Sequence, residues 1–292
     1  MKVLVIGGTG TVGSEVTQRL LDRGAAVWVM TYTEGRAGAL PAGAEGMRGD
    51  LRDPGSLRAP FAGVEGVFLL VPVSLDETRM GLNAVDAAKA SGVHRIVYMS
   101  VAKVEEASHI PHFGSKIPIE NAVKSSGIPY TILRPNNFYQ NDRWLREWIV
   151  DHGVYPQPIG DIGVNRVDVR DIADAAVNAL TKSGHEGNTY GINGPDTLTG
   201  DAVASIYSRY LGREVRYEDG NLDAWEEQAR RMFPDWMAHD YRIMYEYFQS
   251  HGMVAAAADL AGQHSVVGHD PRSFDAYASE LTAVWIGRKA AA

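Results

Sequence analysis

Residues 2–13 read KVLVIGGTGTVG, and the order of residue types in this stretch decides the fold. Val3, Leu4, Val5 and Ile6 form an unbroken apolar run rich in β-branched side chains, the pattern of a strand buried on both faces. Gly7, Gly10 and Gly13 follow. Val12, Val16 and Leu20 then recur one helical turn apart, and Gly24 closes that helix after Arg23. Strand, glycine turn and helix in this order suit a pyrophosphate. The glycines permit a tight turn and a close backbone approach, and the helix start turns its free N–H groups toward the phosphates. A glycine triplet alone is a weak signal; in this context it predicts a dinucleotide site.

Composition narrows the alternatives. The chain has 292 residues, 45% hydrophobic and 22% charged, which is enough for a large core. Its net charge is −8 and no Lys/Arg run stands out, so neither nucleic acid nor a membrane is an expected partner. The absence of cysteine excludes disulfides, thiol catalysis and cysteine-ligated metal, and no metal site is expected. A buried strand beginning at residue 2 leaves no space for a signal peptide, and the longest core-like run, Val67 to Val73, is far below membrane-spanning length. The expected location is cytoplasmic.

Ala26 to Tyr32 reads as the second strand, and its tip is where a dinucleotide enzyme selects its cofactor. The tip carries no carboxylate, and Arg36 lies a short loop away, which favours NADP(H) over NAD(H); Glu34 keeps NAD(H) as the alternative. Gly49, Asp50 and Leu51 end a third strand, with Asp50 either at the adenine edge or capping a turn. Val67 to Val73 is the fourth strand. Ser74 and Glu77 form a capping box for a helix running to Ser91. Ile96 to Ser100 and Tyr130 to Leu133 are the fifth and sixth strands, separated by a helix that ends at Ser126-Gly127. In DRGAAVWVM, KASGVHRIVYM and KSSGIPYTILRP a helix ends in glycine and an apolar strand follows, which reports repeated βα units. The expected fold is α/β: a doubly wound parallel sheet of Rossmann type, with ligands at the strand C-termini. That edge would hold Leu70 to Pro72, Ser100 to Lys103 and Pro135 to Phe138.

The character changes from about Asp142. Trp144, Leu145, Trp148 and Ile149 read as one apolar helix face ending at Gly153. Val167 to Ser183 reads as a helix led by Asp168 and Asp171, with a late strand at Thr189 to Ile192. A helix near Gly200 to Leu211 and a short strand at Glu214 to Tyr217 precede an aromatic tract from Trp225 to Phe248, read as two helices broken by Pro234. That stripe is either core or the lining of an apolar substrate cavity. Pro271 to Ile286 reads as a final helix. The expected division is a dinucleotide-binding domain over 1–150, to which 164–193 returns, and a smaller, mostly helical, aromatic-rich substrate-binding part over 194–292.

GGTGTVG after a first strand, GDL near position 50, Arg134-Pro135-Asn136 after the sixth strand, and VDVRDIADAAVNAL followed by HEGNTYGINGP together resemble an atypical short-chain dehydrogenase/reductase. The nearest group is the NmrA-like one, with its NADPH-dependent quinone and triphenylmethane reductases, isoflavone-type reductases and cofactor-sensing regulators. The resemblance implies a phosphate loop at Gly7, Thr9, Gly10, Thr11, Val12 and Gly13 and an adenine contact at Asp50 and Leu51. It implies nicotinamide contacts at Leu70, Val71, Ser100, Lys116, Pro135, Asn136 and Phe138. The chain departs from the family in two respects, at the cofactor-selecting tip and in the catalytic set. Tyr32 stands where NADP-using members often carry arginine, with Arg36 at the second basic place. The wider superfamily uses serine and a Tyr-x-x-x-Lys pair; here Lys116 is retained, His112 stands at the tyrosine place, and Ser100 is shifted. His112 is either a proton donor or a loop histidine.

Two functions follow. The first is an NAD(P)H-dependent reductase passing hydride to a small apolar, aromatic carbonyl or quinone-like acceptor without the usual Ser-Tyr-Lys triad. The second is a non-catalytic NAD(P) sensor acting through a protein partner. Monomer and dimer both stay open.

Overall fold

The computed structural model describes residues 1–32, 40–218 and 221–287. The chain forms two compact units. The first comprises Met1–Pro135, Val169–Ile192 and Ala261–Asp270; the second comprises Asn136–Asp168, Asn193–Leu260 and the chain from Pro271 onward. The chain therefore leaves the first unit at Pro135, earlier than the expected boundary at 150, and returns to it twice.

The first unit is the doubly wound sheet. Its elements are β1 (Lys2–Ile6), α1 (Thr11–Asp22), β2 (Ala26–Thr31), β3 (Ala44–Arg48), α2 (Arg58–Phe61), β4 (Gly66–Leu69), α3 (Glu77–Ala90), β5 (Arg95–Met99), α4 (Pro111–Gly114), α5 (Lys116–Ser125) and β6 (Tyr130–Pro135). After a short strand, β7 (Val154–Tyr155), in the second unit, α6 (Val169–Thr181) and β8 (Asn188–Ile192) complete it. The seven strands are parallel in the order β3-β2-β1-β4-β5-β6-β8. The order reverses between β1 and β4, so the crevice beyond their C-terminal ends is the binding edge of such a sheet.

Alternation sorts the strand residues onto two helical layers. Leu4, Ile6, Val67, Leu69, Ile96, Tyr98 and Ile132 form one core with Met80, Ala84 and Val85 of α3 and Ile119 and Val123 of α5. Val3 and Val5 are equally buried on the other side, where α1 packs on α6. β4 is shorter than the apolar run implied. Its ladder with β1 ends at Ile6↔Leu69, because β1 turns away into Gly7, and Leu70 to Val73 leave the sheet.

The capping box at Ser74 and Glu77 does not form. Ser74 Oγ accepts from the Asp76 N–H at 3.2 Å, and the Glu77 side chain turns inward instead. The helix α10 (Ala257–Val267) was not expected. Its buried residues, Gln263, Val266 and Val267, do not form an apolar stripe at helical spacing. The end of α10 belongs to the first unit. Asn178 Nδ2 of α6 donates to the carbonyls of Val266 and Val267 at 2.8 and 3.0 Å, and His269 Nε2 meets Asp174 Oδ2 at 3.0 Å.

The second unit contains β7 paired with β9 (Arg216–Tyr217), together with α7 (Gly200–Leu211), α8 (Leu222–Ala229), α9 (Asp235–His251) and α11 (Phe274–Trp285). Pro234 does separate two helices, and α9 buries Met244, Tyr245, Tyr247 and Phe248. The expected apolar face at 144–149 is corrected. Tyr139–Leu145 winds as a 3-10 helix and Glu147–Asp151 as a π-helix, so the residues no longer share one α-helical face. Trp144 is 88% exposed while Ile149 is fully buried.

Candidate functional site

The glycine turn forms a cradle at the end of β1. Gly7 has φ +80°, the left-handed region that glycine occupies without steric cost. The Gly10 N–H donates to the Gly7 carbonyl at 2.9 Å and closes the turn. A Cβ on Gly13 would lie 2.2 Å from the Gly7 oxygen and 2.7 Å from the Gly8 Cα, so the helix can approach the turn this closely only with glycine at this place. Val12 is buried beneath, while Thr9, Gly10 and Thr11 form an exposed rim. No side chain caps α1, and its first turn holds no acidic residue. The positive end of the helix dipole is thus directed outward with no local anion to neutralise it. These features fit a dinucleotide diphosphate.

The neighbouring strand ends place further expected residues around the same edge. Leu70 packs its Cδ2 within 2.7 Å of where a Gly7 Cβ would be, which sets it against the cradle, and Val71 beside it is buried. Asp50 and Leu51 follow β3 in a turn. An Asp50 carboxylate oxygen accepts from the Arg52 N–H at 2.8 Å, which is the turn-capping alternative, and the Leu51 carbonyl accepts from Asn83 Nδ2 at 2.8 Å. β2 ends at Thr31, one residue short of the expected strand end, and Tyr32 follows it, exposed. Glu34 and Arg36 lie outside the described residues.

Beyond β5 and β6 the polar groups are buried. Ser100 donates its N–H to the Leu133 carbonyl at 2.8 Å, and its hydroxyl is buried without a hydrogen-bond partner. The Pro135 carbonyl accepts from the Ala102 N–H at 3.0 Å, which ties the two strand ends together. Lys116 opens α5, is 7% exposed, and pairs its ammonium with Glu77 Oε1 at the start of α3. Ser115 Oγ donates to the other Glu77 oxygen at 2.9 Å. His112 sits apart in α4, edge-on to Phe113 at 4.8 Å between centroids. The helical break at Ser115 puts His112 and Lys116 on separate helices. A second buried carboxylate, Glu120, accepts from Arg134 at 2.9 and 2.7 Å and from Lys124 at 3.0 Å. Burial alone would raise its pKa; Arg134, the nearby Ser100 hydroxyl and Lys124 more than offset this, and the Glu120 carboxyl is held below its ordinary range.

The second unit begins with the other expected residues. Asn136 is buried, and its Nδ2 donates to the Met253 carbonyl at 2.8 Å and to Asn193 Oδ1 at 3.1 Å. Phe138 is half-buried, and its carbonyl accepts from Arg166 at 2.7 Å. Arg166 is fully buried. It grips Asp142 with two N–H groups at 3.0 and 2.8 Å and donates to Asn137 Oδ1 at 3.0 Å and Tyr155 Oη at 3.0 Å. Tyr207 completes the set by donating to Asp142 at 2.8 Å. Sequence reading missed Glu77 as an ion-pair partner and missed the whole Arg166–Asp142 cluster. No local pattern marked them, since Glu77 lies within DETR and Asp142 within QNDR; only burial, under which a charge needs an opposite partner, makes them pair.

The model of the NmrA-like family matches residues 1–278. The chain belongs to the NmrA-like family. An NAD(P)H azoreductase of Xenophilus azovorans is 36% identical over 245 residues, 83% of this chain and 86% of that protein. A (4-alkanoyl-5-oxo-2,5-dihydrofuran-3-yl)methyl phosphate reductase of Streptomyces griseus is also 36% identical, over 236 residues, 80% and 82% of the two chains. Among solved structures, the NmrA-like chain is similar to a Citrobacter triphenylmethane reductase complexed with NADP(H). The TM-score is 0.84 at 26% identity, covering 96% of this chain and 100% of that one. The NmrA-like assignment thus extends over the doubly wound sheet and the aromatic helices, beyond the span of 1–200 on which the sequence motifs lie.

Proposed function

We propose that this chain is an NAD(P)H-dependent reductase, using NADP(H) in preference to NAD(H), that acts on small apolar, aromatic quinone-like, azo or carbonyl acceptors. The observation that carries the reading is the cradle, in which Gly13 leaves no room for a side chain against the Gly7 carbonyl and α1 offers an uncapped N-terminus. The names of the relatives support it: an NAD(P)H azoreductase, and a triphenylmethane reductase bound to NADP(H). The cofactor, when bound, supplies the hydride.

The chain's own residues bind, orient and exclude water. Gly7, Thr9, Gly10, Thr11, Val12 and Gly13 would hold the diphosphate through main-chain N–H groups. Asp50 and Leu51 would flank the adenine, with Tyr32 and Arg36 beside the adenine ribose and its phosphate. Leu70, Val71 and Pro135 would pack against the nicotinamide, and Lys116 would hold the adjoining ribose as a fixed cation. The buried Ser100 hydroxyl, which has no hydrogen-bond partner, is a further polar group that could face the cofactor. We assign substrate recognition to the aromatic-rich second unit. An acceptor that becomes a stabilised anion needs no protein acid, which accommodates the missing tyrosine. A simple carbonyl does need one, and His112 is the candidate.

The test is NADPH oxidation by the purified protein across a panel of quinones, azo dyes and aryl carbonyls. Turnover of one class is expected, with His112→Phe depressing carbonyl reduction and sparing quinone reduction. Tight NADPH binding with no turnover anywhere in the panel would replace the reductase by a cofactor sensor.

A further inference from the structure

We propose that Glu77 is the positioning residue of the active site: it fixes the Lys116 ammonium and leaves the lysine's other N–H groups to the ribose of the bound dinucleotide. The inference rests on the reductase reading, which takes Lys116 as a cofactor contact.

Glu77 is the first residue of α3 and is 1% exposed. Both of its oxygens are occupied, one by Lys116 and the other by Ser115 Oγ at 2.9 Å. The carboxylate therefore cannot rotate without leaving a buried donor unpaired. Two further contacts hold the helix starts together. Thr78 Oγ1 donates to the Ser115 carbonyl at 2.7 Å, and a Cβ on Gly81 would lie 2.4 Å from Ile119 Cδ1, so α3 and α5 are in close contact. The spacing between Glu77 and Lys116 is set by the backbone, not by two flexible side chains finding each other.

Stability does not explain the pair. A buried ion pair is commonly no more stable than an apolar pair of the same volume, and the same α3–α5 layer is apolar one turn further on, at Met80, Ala84, Ile119 and Val123. A charged pair at the sheet's binding edge has a different use. A lysine on a four-carbon stem samples many rotamers, whereas one pinned at its ammonium presents a single arrangement of N–H groups.

The experiment is a double-mutant cycle on NADPH affinity, read by fluorescence titration, with thermal melting as the control for folding. Glu77→Gln keeps the shape and removes the charge. It should weaken NADPH binding about tenfold in the wild-type background and by less than about twofold beside Lys116→Met, because its effect passes through the lysine. Glu77→Asp should recover part of the affinity. The ratio of NADPH to NADH affinity should not change, since the ribose beside the nicotinamide is common to both. Should Glu77→Gln not fold, Ser115→Ala loosens the same carboxylate without stranding a charge. It should weaken binding in the wild type and not in the Glu77→Gln, Lys116→Met double variant. Equal losses with and without Lys116, or a folded Glu77→Gln with unchanged affinity, would reduce Glu77 to a scaffold residue. If the wild type itself binds neither nucleotide, the reductase reading fails together with this one, whereas wild-type binding that ignores Glu77 overturns this one alone.

Discussion

Gly13 and Gly7 approach so closely that a single added carbon on Gly13 would sit 2.2 Å from the Gly7 carbonyl oxygen. Nothing in the turn can give way cheaply, because the obstructing atoms are backbone. Gly13→Ala should therefore push α1 off the turn, costing about 1–3 kcal/mol of stability. Nucleotide affinity should fall by a larger factor, since the amides that would hold the diphosphate move together. Calorimetric titration with NADPH and a thermal melt of the variant measure the two effects separately.

Removing Lys116 strands Glu77. Lys116→Ala leaves a buried carboxylate without its cation, which costs about 3–5 kcal/mol unless Glu77 is replaced as well. The double variant Glu77→Gln, Lys116→Met should regain most of that stability in urea denaturation without regaining turnover. Stability and activity would then separate, as expected of a charge retained for chemistry.

In the second unit, Arg166 grips Asp142 where neither side chain is reached by solvent. The same arginine holds the Phe138 carbonyl and Asn137. Asp142→Asn should destabilise the protein by about 3–5 kcal/mol. Thermal melts and urea denaturation of the variant against the wild type measure the loss.

Cofactor choice depends on Arg36 in our proposal. A charge-assisted hydrogen bond to a phosphate is worth roughly 1.5–3 kcal/mol, so Arg36→Ala should narrow the NADPH-over-NADH preference by about 10- to 100-fold. Parallel steady-state assays with the two cofactors give the ratio, and an unchanged ratio would remove Arg36 from that role.

Acid stability should bear the mark of Glu120. Its carboxyl titrates lower in the folded protein than in the unfolded chain, because burial that would raise it is more than offset by hydrogen bonds from Arg134 and Lys124, with the Ser100 hydroxyl nearby. The unfolded state then binds more protons in this window, and stability rises with pH. The contribution is fully present above the ordinary glutamate value near ~4.3 and is lost as pH falls through that value toward the lower folded one. Glu120→Gln should flatten this part of the stability–pH curve while lowering stability at neutral pH, as chemical denaturation at several pH values would show.

Much of the first unit was legible because its signals are local. The run Val3 to Ile6, the three spaced glycines and the recurring glycine-strand pattern each lie within a dozen residues, and the structure forms the parallel sheet they imply. Helix α7 matched its expected span of Gly200 to Leu211, and Pro234 lies between two helices as the N-cap of the second, where its missing N–H leaves no helical hydrogen bond unmade. Errors came where local rules compete with distant partners. Ser74 and Glu77 have capping-box spacing, yet a lysine 39 residues away draws the glutamate inward. Trp144 and Trp148 have α-helical spacing, yet the backbone there winds as 3-10 and then π, and the tryptophans point outward.

By itself the sequence determined the βα alternation, the tight glycine turn after β1 and the family, because periodicity, glycine sterics and helix ends act over a few residues. Only the tertiary structure decided which charges meet. Glu77 with Lys116 and Arg166 with Asp142 are joined by burial that leaves these ions almost no water to turn to, and the buried Glu120 meets the partly exposed Arg134 in the same way. A buried charge must find an opposite one wherever the packed backbone brings it, and no local pattern encodes that meeting place.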